Sequence, residues 1–190
     1  MSAMTATAPN RQLTRADWEA MPEHKHKIEL LDGVVIDAFA PGPEVAGTRF
    51  RHQSTLMKLY DLVKPVLPAG WATIVAPYDM YVSDTVVLEP DLLMAPRERF
   101  QEHGLEEPPA LVIEILSPST RHRDLFRKFE WFREFGVEHV WFVDPEEPSV
   151  IAYELVEDHY AEAGQAIGEE TLLIERPFHL KITPQRLLEG

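Results

Sequence analysis

Residues 109–128 read PALVIEILSPSTRHRDLFRK, an apolar strand that carries one carboxylate, Glu114, followed by a turn and a helix that carries a lysine, Lys128. Burying an ionised side chain without a partner costs several kcal/mol or drives the group neutral. Glu114, set between Val112, Ile113, Ile115 and Leu116, therefore calls for a metal ion, an ion pair or a raised pKa.

The segments on either side define the layout. A helix over Thr120–Phe135 starts after Ser117-Pro118-Ser119 and stops at Gly136, with Leu125, Phe129 and Phe132 as its apolar stripe. His139–Asp144 then forms a short strand around Trp141-Phe142-Val143, so Ala110–Leu116, the helix and this strand make a right-handed βαβ crossover. Trp131, Phe132, Trp141 and Phe142 fall inside these elements and read as core, not as platforms for stacking bases.

Upstream, Thr14 and Asp17 form a capping-box-like start for a helix over Arg15–Met21, which Pro22 ends. Lys27–Leu31 and Val34–Ala38 flank Asp32-Gly33, the dipeptide of a tight hairpin turn. Leu56, Leu59, Tyr60, Val63 and Leu67 recur at helical spacing, giving a helix of about twenty residues that Pro68 and Gly70 terminate. Strands follow at Trp71–Ala76, Asp79–Val82 and Val86–Met94, and the charged connection Arg97–Pro109 is expected to be mobile. Beyond Pro145, Val150–Val156, Leu172–Glu175 and Phe178–Ile182 read as antiparallel strands, with Thr183-Pro184 capping a last short helix.

The chain of 190 residues fits one domain, taken as 12–190 behind a flexible N-terminus, 1–11. With no cysteine it has neither disulfides nor thiolate zinc sites, which agrees with a cytoplasmic protein, and no apolar run is long enough for a membrane span. His24, His26, His103 and His122 lack a third ligand at a zinc spacing, and Ser117 and Ser119 lack a neighbouring histidine base. The formal net charge of −14 opposes non-specific attraction to phosphate backbones. Two basic clusters run against that average: Arg121, Arg123, Arg127, Lys128 and Arg133, and Arg49, Arg51, His52 and Lys58. Each is either a solvated helix face or a grip on a polyanion.

IELLDGVV, EPDLLMAP, PALVIEILSPST and KFEWFREFGVEHVWFVDP closely resemble the Uma-two family of restriction-endonuclease-like proteins, a branch of the PD-(D/E)XK nuclease superfamily, over residues 12–188. The resemblance implies an α/β restriction-endonuclease-like fold, a mixed β-sheet flanked by helices. It further implies that Asp91, after Pro90, and Glu114 bind Mg²⁺, with Mn²⁺ as a substitute. Leu116 stands where the commoner pattern has its lysine; in this family the lysine lies on the next helix, where this chain has Lys128. Glu29 joins the site by its family position, and His52 is implied near the phosphate.

The chemistry suits those residue types. Mg²⁺ is a hard ion that takes one or two carboxylates together with carbonyls, water and substrate phosphate, so Asp91, Glu114 and the carbonyl of Ile115 suffice. An ammonium such as Lys128 can orient the nucleophile or stabilise the transition state. Arg121, one helical face along from Lys128, is a candidate phosphate ligand.

The expected function is Mg²⁺-dependent endonucleolytic hydrolysis of nucleic-acid phosphodiesters, DNA in the first place, by a homodimer. The alternative is a catalytically silent dimeric nucleic-acid- or protein-binding module of the same fold. The net charge favours the alternative, whereas an intact set of Glu29, Asp91, Glu114 and Lys128 favours the enzyme.

Overall fold

The computed structural model describes residues 11–22, 27–37, 45–116 and 124–189. After a short helix α1 (Arg15–Glu19), β1 (Ile28–Leu31) and β2 (Val34–Asp37) form the first hairpin, and α2 (Val45–Val63) follows. β3 (Trp71–Val75), β4 (Met80–Ser83), β5 (Val86–Leu88), β6 (Leu92–Pro96) and β7 (Leu111–Ile115) lead to α3 (Asp124–Phe135). β8 (His139–Asp144), β9 (Ser149–Val156), β10 (His159–Ile167), β11 (Leu172–Ile174) and β12 (Leu180–Ile182) complete the order.

Local sequence accounts for several of these boundaries. Thr14 and Asp17 make the reciprocal capping box that starts α1. Asp32 and Gly33 both adopt positive φ, 49° and 77°, as the tight hairpin turn requires. A Cβ on Gly33 would lie 2.6 Å from that of Gln12, so this turn also needs the bare backbone for close approach. Gly136 closes α3 with a φ of 89°.

The strands form a six-stranded sheet in the order β10-β9-β8-β7-β6-β3, a four-stranded sheet in the order β2-β1-β5-β4, and a separate β11-β12 pair. In the large sheet only β7 and β8 run parallel, and α3 connects them, which is the expected βαβ crossover. Leu111, Ile113 and Ile115 of β7 face the core that includes Leu56, Leu59 and Val63 of α2. Val112 faces the opposite core, which holds Phe132 of α3 together with Met80, Val86 and Leu88 of the smaller sheet. This is the alternation of a strand buried on both faces, and it makes a mixed α/β fold with the central sheet between layers.

Four readings change. Val86–Met94 is not one strand: β5 and β6 belong to different sheets, and Glu89-Pro90-Asp91 carries the chain between them. Proline has no N–H to give to a ladder, so the break falls where a chain must leave one sheet for another. The connection Arg97–Pro109 is ordered, because Leu105 is fully buried and its backbone exchanges hydrogen bonds with Asp79 and Tyr81 at 2.8 and 2.9 Å. The strand β10 was not expected at all; its HYAEAGQAI carries few β-formers, and it is an edge strand held by its ladder with β9. At the C-terminus Pro184–Leu188 is a 3-10 turn, and Thr183 before it makes no side-chain capping bond.

Candidate active site

The Glu89-Pro90-Asp91 crossing sets the position of the cluster. The antiparallel register pairs Leu93 with Val112 and Leu92 with Ile113, and one step further it brings Asp91 opposite Glu114. Glu114 shares its side of β7 with Val112, so it points towards α3. From that helix Lys128 reaches back, its Nζ 3.0 Å from Glu114 Oε1 and 2.8 Å from Glu29 Oε1. In β1, Ile28 and Leu30 pack into the outer core with Trp18 and Tyr81, which leaves Glu29 facing the large sheet. Glu29, Asp91, Glu114 and Lys128 are all buried and meet at this one place. The four residues read from the sequence are thus brought together.

Two more side chains complete the cluster. Lys27, the residue before β1, puts its Nζ 2.8 Å from Asp91 Oδ1 and 3.5 Å from Glu114 Oε2. His52 of α2 approaches from the opposite core, its Nε2 3.2 Å from Asp91 Oδ2. The Ile115 N–H donates to the same Oδ2 at 2.7 Å. Arg121 lies outside the described residues, as do His24, His26, His122, Ser117 and Ser119.

Burial by itself would raise the Asp91 carboxyl, but the Lys27 ammonium and the His52 ring overcome it and hold Asp91 far below the usual carboxylate range. Glu114 goes the other way. Its burial, with Asp91 and Glu29 nearby, outweighs the attraction of Lys128 and Lys27 and raises its pKa. Lys27 and Lys128 are both raised: burial opposes their charge, and the surrounding carboxylates more than restore it. Of Asp91 and Glu114, Asp91 is thus the one fixed as an anion across the whole useful pH range.

Glu89 forms a second shelf behind the cluster. Its Oε2 accepts from the Ile28 N–H at 3.1 Å, and its own N–H donates to Glu29 Oε1 at 3.1 Å. Its carboxyl also shares a hydrogen bond with Asp79, and burial together with that neighbouring charge pushes it up to about 8. Asp79 in turn accepts from the Trp18 indole at 2.8 Å and from the Tyr81 hydroxyl at 3.2 Å. Through this shelf α1 and β4 fix the height of β1, and with it Glu29.

Lys27 and Glu89 were missed by sequence reasoning, although a signal for each was present. Lys27 stands two before Glu29 in an alternating segment, and Glu89 belongs to the same Glu-Pro-Asp run as Asp91.

Among the described residues no group of three or more histidines and carboxylates is gathered as a ready metal cage. The donor chemistry nevertheless fits one hard divalent ion. Asp91 Oδ1 and Glu114 Oε2 already lie around a single cationic centre, the Lys27 ammonium, and two carboxylates are the usual protein share for Mg²⁺.

The comparisons agree with this architecture. A solved structure from Anabaena variabilis ATCC 29413, described as "a putative nuclease belonging to DUF820", superposes with a TM-score of 0.68 at 18% identity, covering 93% of this chain and 97% of that one. At that identity the likeness establishes the fold. No curated protein matches the chain. The model of the Uma2 family, described as "Putative restriction endonuclease", matches residues 15–185, a span that includes Glu29, His52, Asp91, Glu114, Ile115 and Lys128. With residues 15–185 of the 190 matched, the protein belongs to the Uma2 family, described as "Putative restriction endonuclease".

Proposed function

We propose that the protein is a Mg²⁺-dependent endonuclease that hydrolyses DNA phosphodiester bonds at the Asp91–Glu114 cluster, with Mn²⁺ able to replace Mg²⁺. The observation that carries this reading is the pair of buried carboxylates, one just before β6 and one on β7, sharing one cationic centre, with the Lys128 ammonium behind them. A divalent ion held by Asp91, Glu114 and the Ile115 carbonyl would neutralise charge on the phosphoryl group and favour deprotonation of the attacking water.

The chain's own groups do the positioning. Lys128, held between Glu29 and Glu114, presents a fixed positive charge where negative charge builds up in the transition state. Glu29, whose Oε1 accepts from Lys128 Nζ and from the Glu89 N–H, would hold a metal-bound water. His52 orients Asp91, and together with Arg121 it would meet the phosphate flanking the scissile bond. Cutting both strands of a duplex calls for two such sites, hence a homodimer.

Wild type and Asp91→Asn, incubated with supercoiled, linear and single-stranded DNA in Mg²⁺ and in Mn²⁺, test the reading. Cleavage by wild type, lost in the variant, is expected, and equal cleavage by both would refute the site.

A second reading has one observation in its favour: the cationic centre between Asp91 and Glu114 is filled by a lysine of the chain itself. That is also the arrangement of a catalytically silent binding module stabilised by an internal ion-pair network. DNA binding without metal uptake in calorimetry, and without nicking, would favour this reading.

A further inference from the structure

We infer that Lys27 is the resident counter-cation of the metal seat, exchanged for the divalent ion when a nucleic-acid phosphate takes up the displaced ammonium. This rests on the metal-dependent reading above and adds a regulatory step to it: metal and phosphate enter together.

The argument lies in how the carboxylate oxygens are shared out. Asp91 Oδ2 is committed to the scaffold, accepting from the Ile115 N–H at 2.7 Å and lying 3.2 Å from His52 Nε2. Glu114 Oε1 is committed to Lys128 at 3.0 Å. The two oxygens left over, Asp91 Oδ1 and Glu114 Oε2, are the two that Lys27 holds, at 2.8 and 3.5 Å. The oxygens open to an incoming ion are therefore the ones Lys27 covers. A divalent ion coordinating them at about 2.1 Å cannot share that space with an ammonium, and the like charges repel.

Formal charge shows why a phosphate completes the exchange. Glu29, Asp91 and Glu114 against Lys27 and Lys128 leave one negative charge among these five buried residues, with Glu89 beside them holding its proton up to about 8. With a divalent ion in the place of Lys27, the three carboxylates, Lys128 and the ion sum to zero. The displaced Lys27 then carries one unpaired positive charge, and a phosphodiester carries the single negative charge that matches it. Lys27 is tethered immediately before β1, so its head remains close to the seat it has left. Without a phosphate the metal must compete with an ammonium already hydrogen-bonded to Asp91, and metal affinity is held down.

The test is calorimetric titration of Mn²⁺ into the full chain, alone and with a phosphorothioate-linked DNA duplex. Lys27→Met is expected to bind Mn²⁺ alone about tenfold more tightly than wild type, a coupling of ordinary size. Lys181→Met, which removes the same charge from the exposed face of β12, is expected to match wild type. The duplex should tighten Mn²⁺ binding by wild type about tenfold and do little for Lys27→Met. Mn²⁺ binding by wild type that Lys27→Met does not tighten would overturn the exchange and leave the metal reading standing. No Mn²⁺ binding by either protein would refute the metal reading and the exchange with it. Should Lys27→Met fail to fold, the wild-type arm decides alone, since Mn²⁺ affinity indifferent to the duplex contradicts the coupling.

Discussion

Asp91 is held so firmly that removing its charge has consequences on two axes. Asp91→Asn leaves the buried Lys27 ammonium facing only the longer contact to Glu114, and a broken buried pair costs about 3 kcal/mol or more. That is a large share of a typical folding free energy of about 5–15 kcal/mol but not all of it, so the variant is expected to fold at room temperature with a lower denaturant midpoint. Glu89 gives a separate prediction. Its folded pKa, about 8, lies above its ordinary 4.5, so the folded state binds the extra proton between those values. Stability from this group is full below about 4.5 and is lost as pH rises towards 8. Glu89→Gln keeps an acceptor for the Ile28 N–H and cannot ionise; its melting temperature, followed in chelator, is expected to fall less than that of wild type between those pH values. An equal fall in both would assign the dependence elsewhere. Glu114 was legible because a carboxylate in an apolar strand is anomalous, whereas Asp91 and Glu29 were reached through the family resemblance. Lys27 was missed, because its spacing from Glu29 is a weak signal and a lysine at the start of a hairpin is ordinary until its contact with Asp91 is known.

At the scale of elements, α3 joins the site to the core. Phe132, one turn after Lys128, is fully buried between the sheets, while Phe129 packs on Phe142, Tyr153 and Tyr160 with ring centroids 5.8, 4.8 and 4.4 Å away. Phe132→Ala is expected to cost about 3–5 kcal/mol in urea unfolding, since the cavity opens where two layers meet. Gly33→Ala should destabilise the first hairpin, through both its positive φ and the close approach of Gln12, and should loosen Glu29 with it. The readout is amide exchange in β1 and β2, expected to quicken in the variant. The crossover β7-α3-β8 could be read from sequence because its strands are apolar runs and its helix ends at a glycine. The division of Val86–Met94 could not be read so directly: both halves are apolar, and only pairing partners reveal that Pro90 marks a change of sheet. For β10 local propensity gave no signal, since its pairing with β9 supplies the order.

The whole molecule sets a site for an anionic substrate in an acidic body. A formal charge of −14 opposes a polyanion at long range, so on the proposed function DNA affinity would come from a few local cations and from the divalent ion. Duplex binding measured by fluorescence anisotropy is therefore expected to strengthen on adding Ca²⁺ or Mg²⁺. Its dependence on monovalent salt should be shallow, with a log–log slope of about −2 to −3. A steep slope with no effect of divalent ion would point to a broad basic surface in place of a metal-centred one. The remaining question is whether the cluster cuts. Supercoiled plasmid incubated with wild type in Mg²⁺, with wild type in chelator, and with Glu114→Gln in Mg²⁺ answers it in one gel. Relaxed and linear plasmid from the first reaction alone is the expected result. Nicking by Glu114→Gln at the wild-type rate, or by wild type in chelator, would contradict a metal-dependent nuclease site built on Asp91 and Glu114.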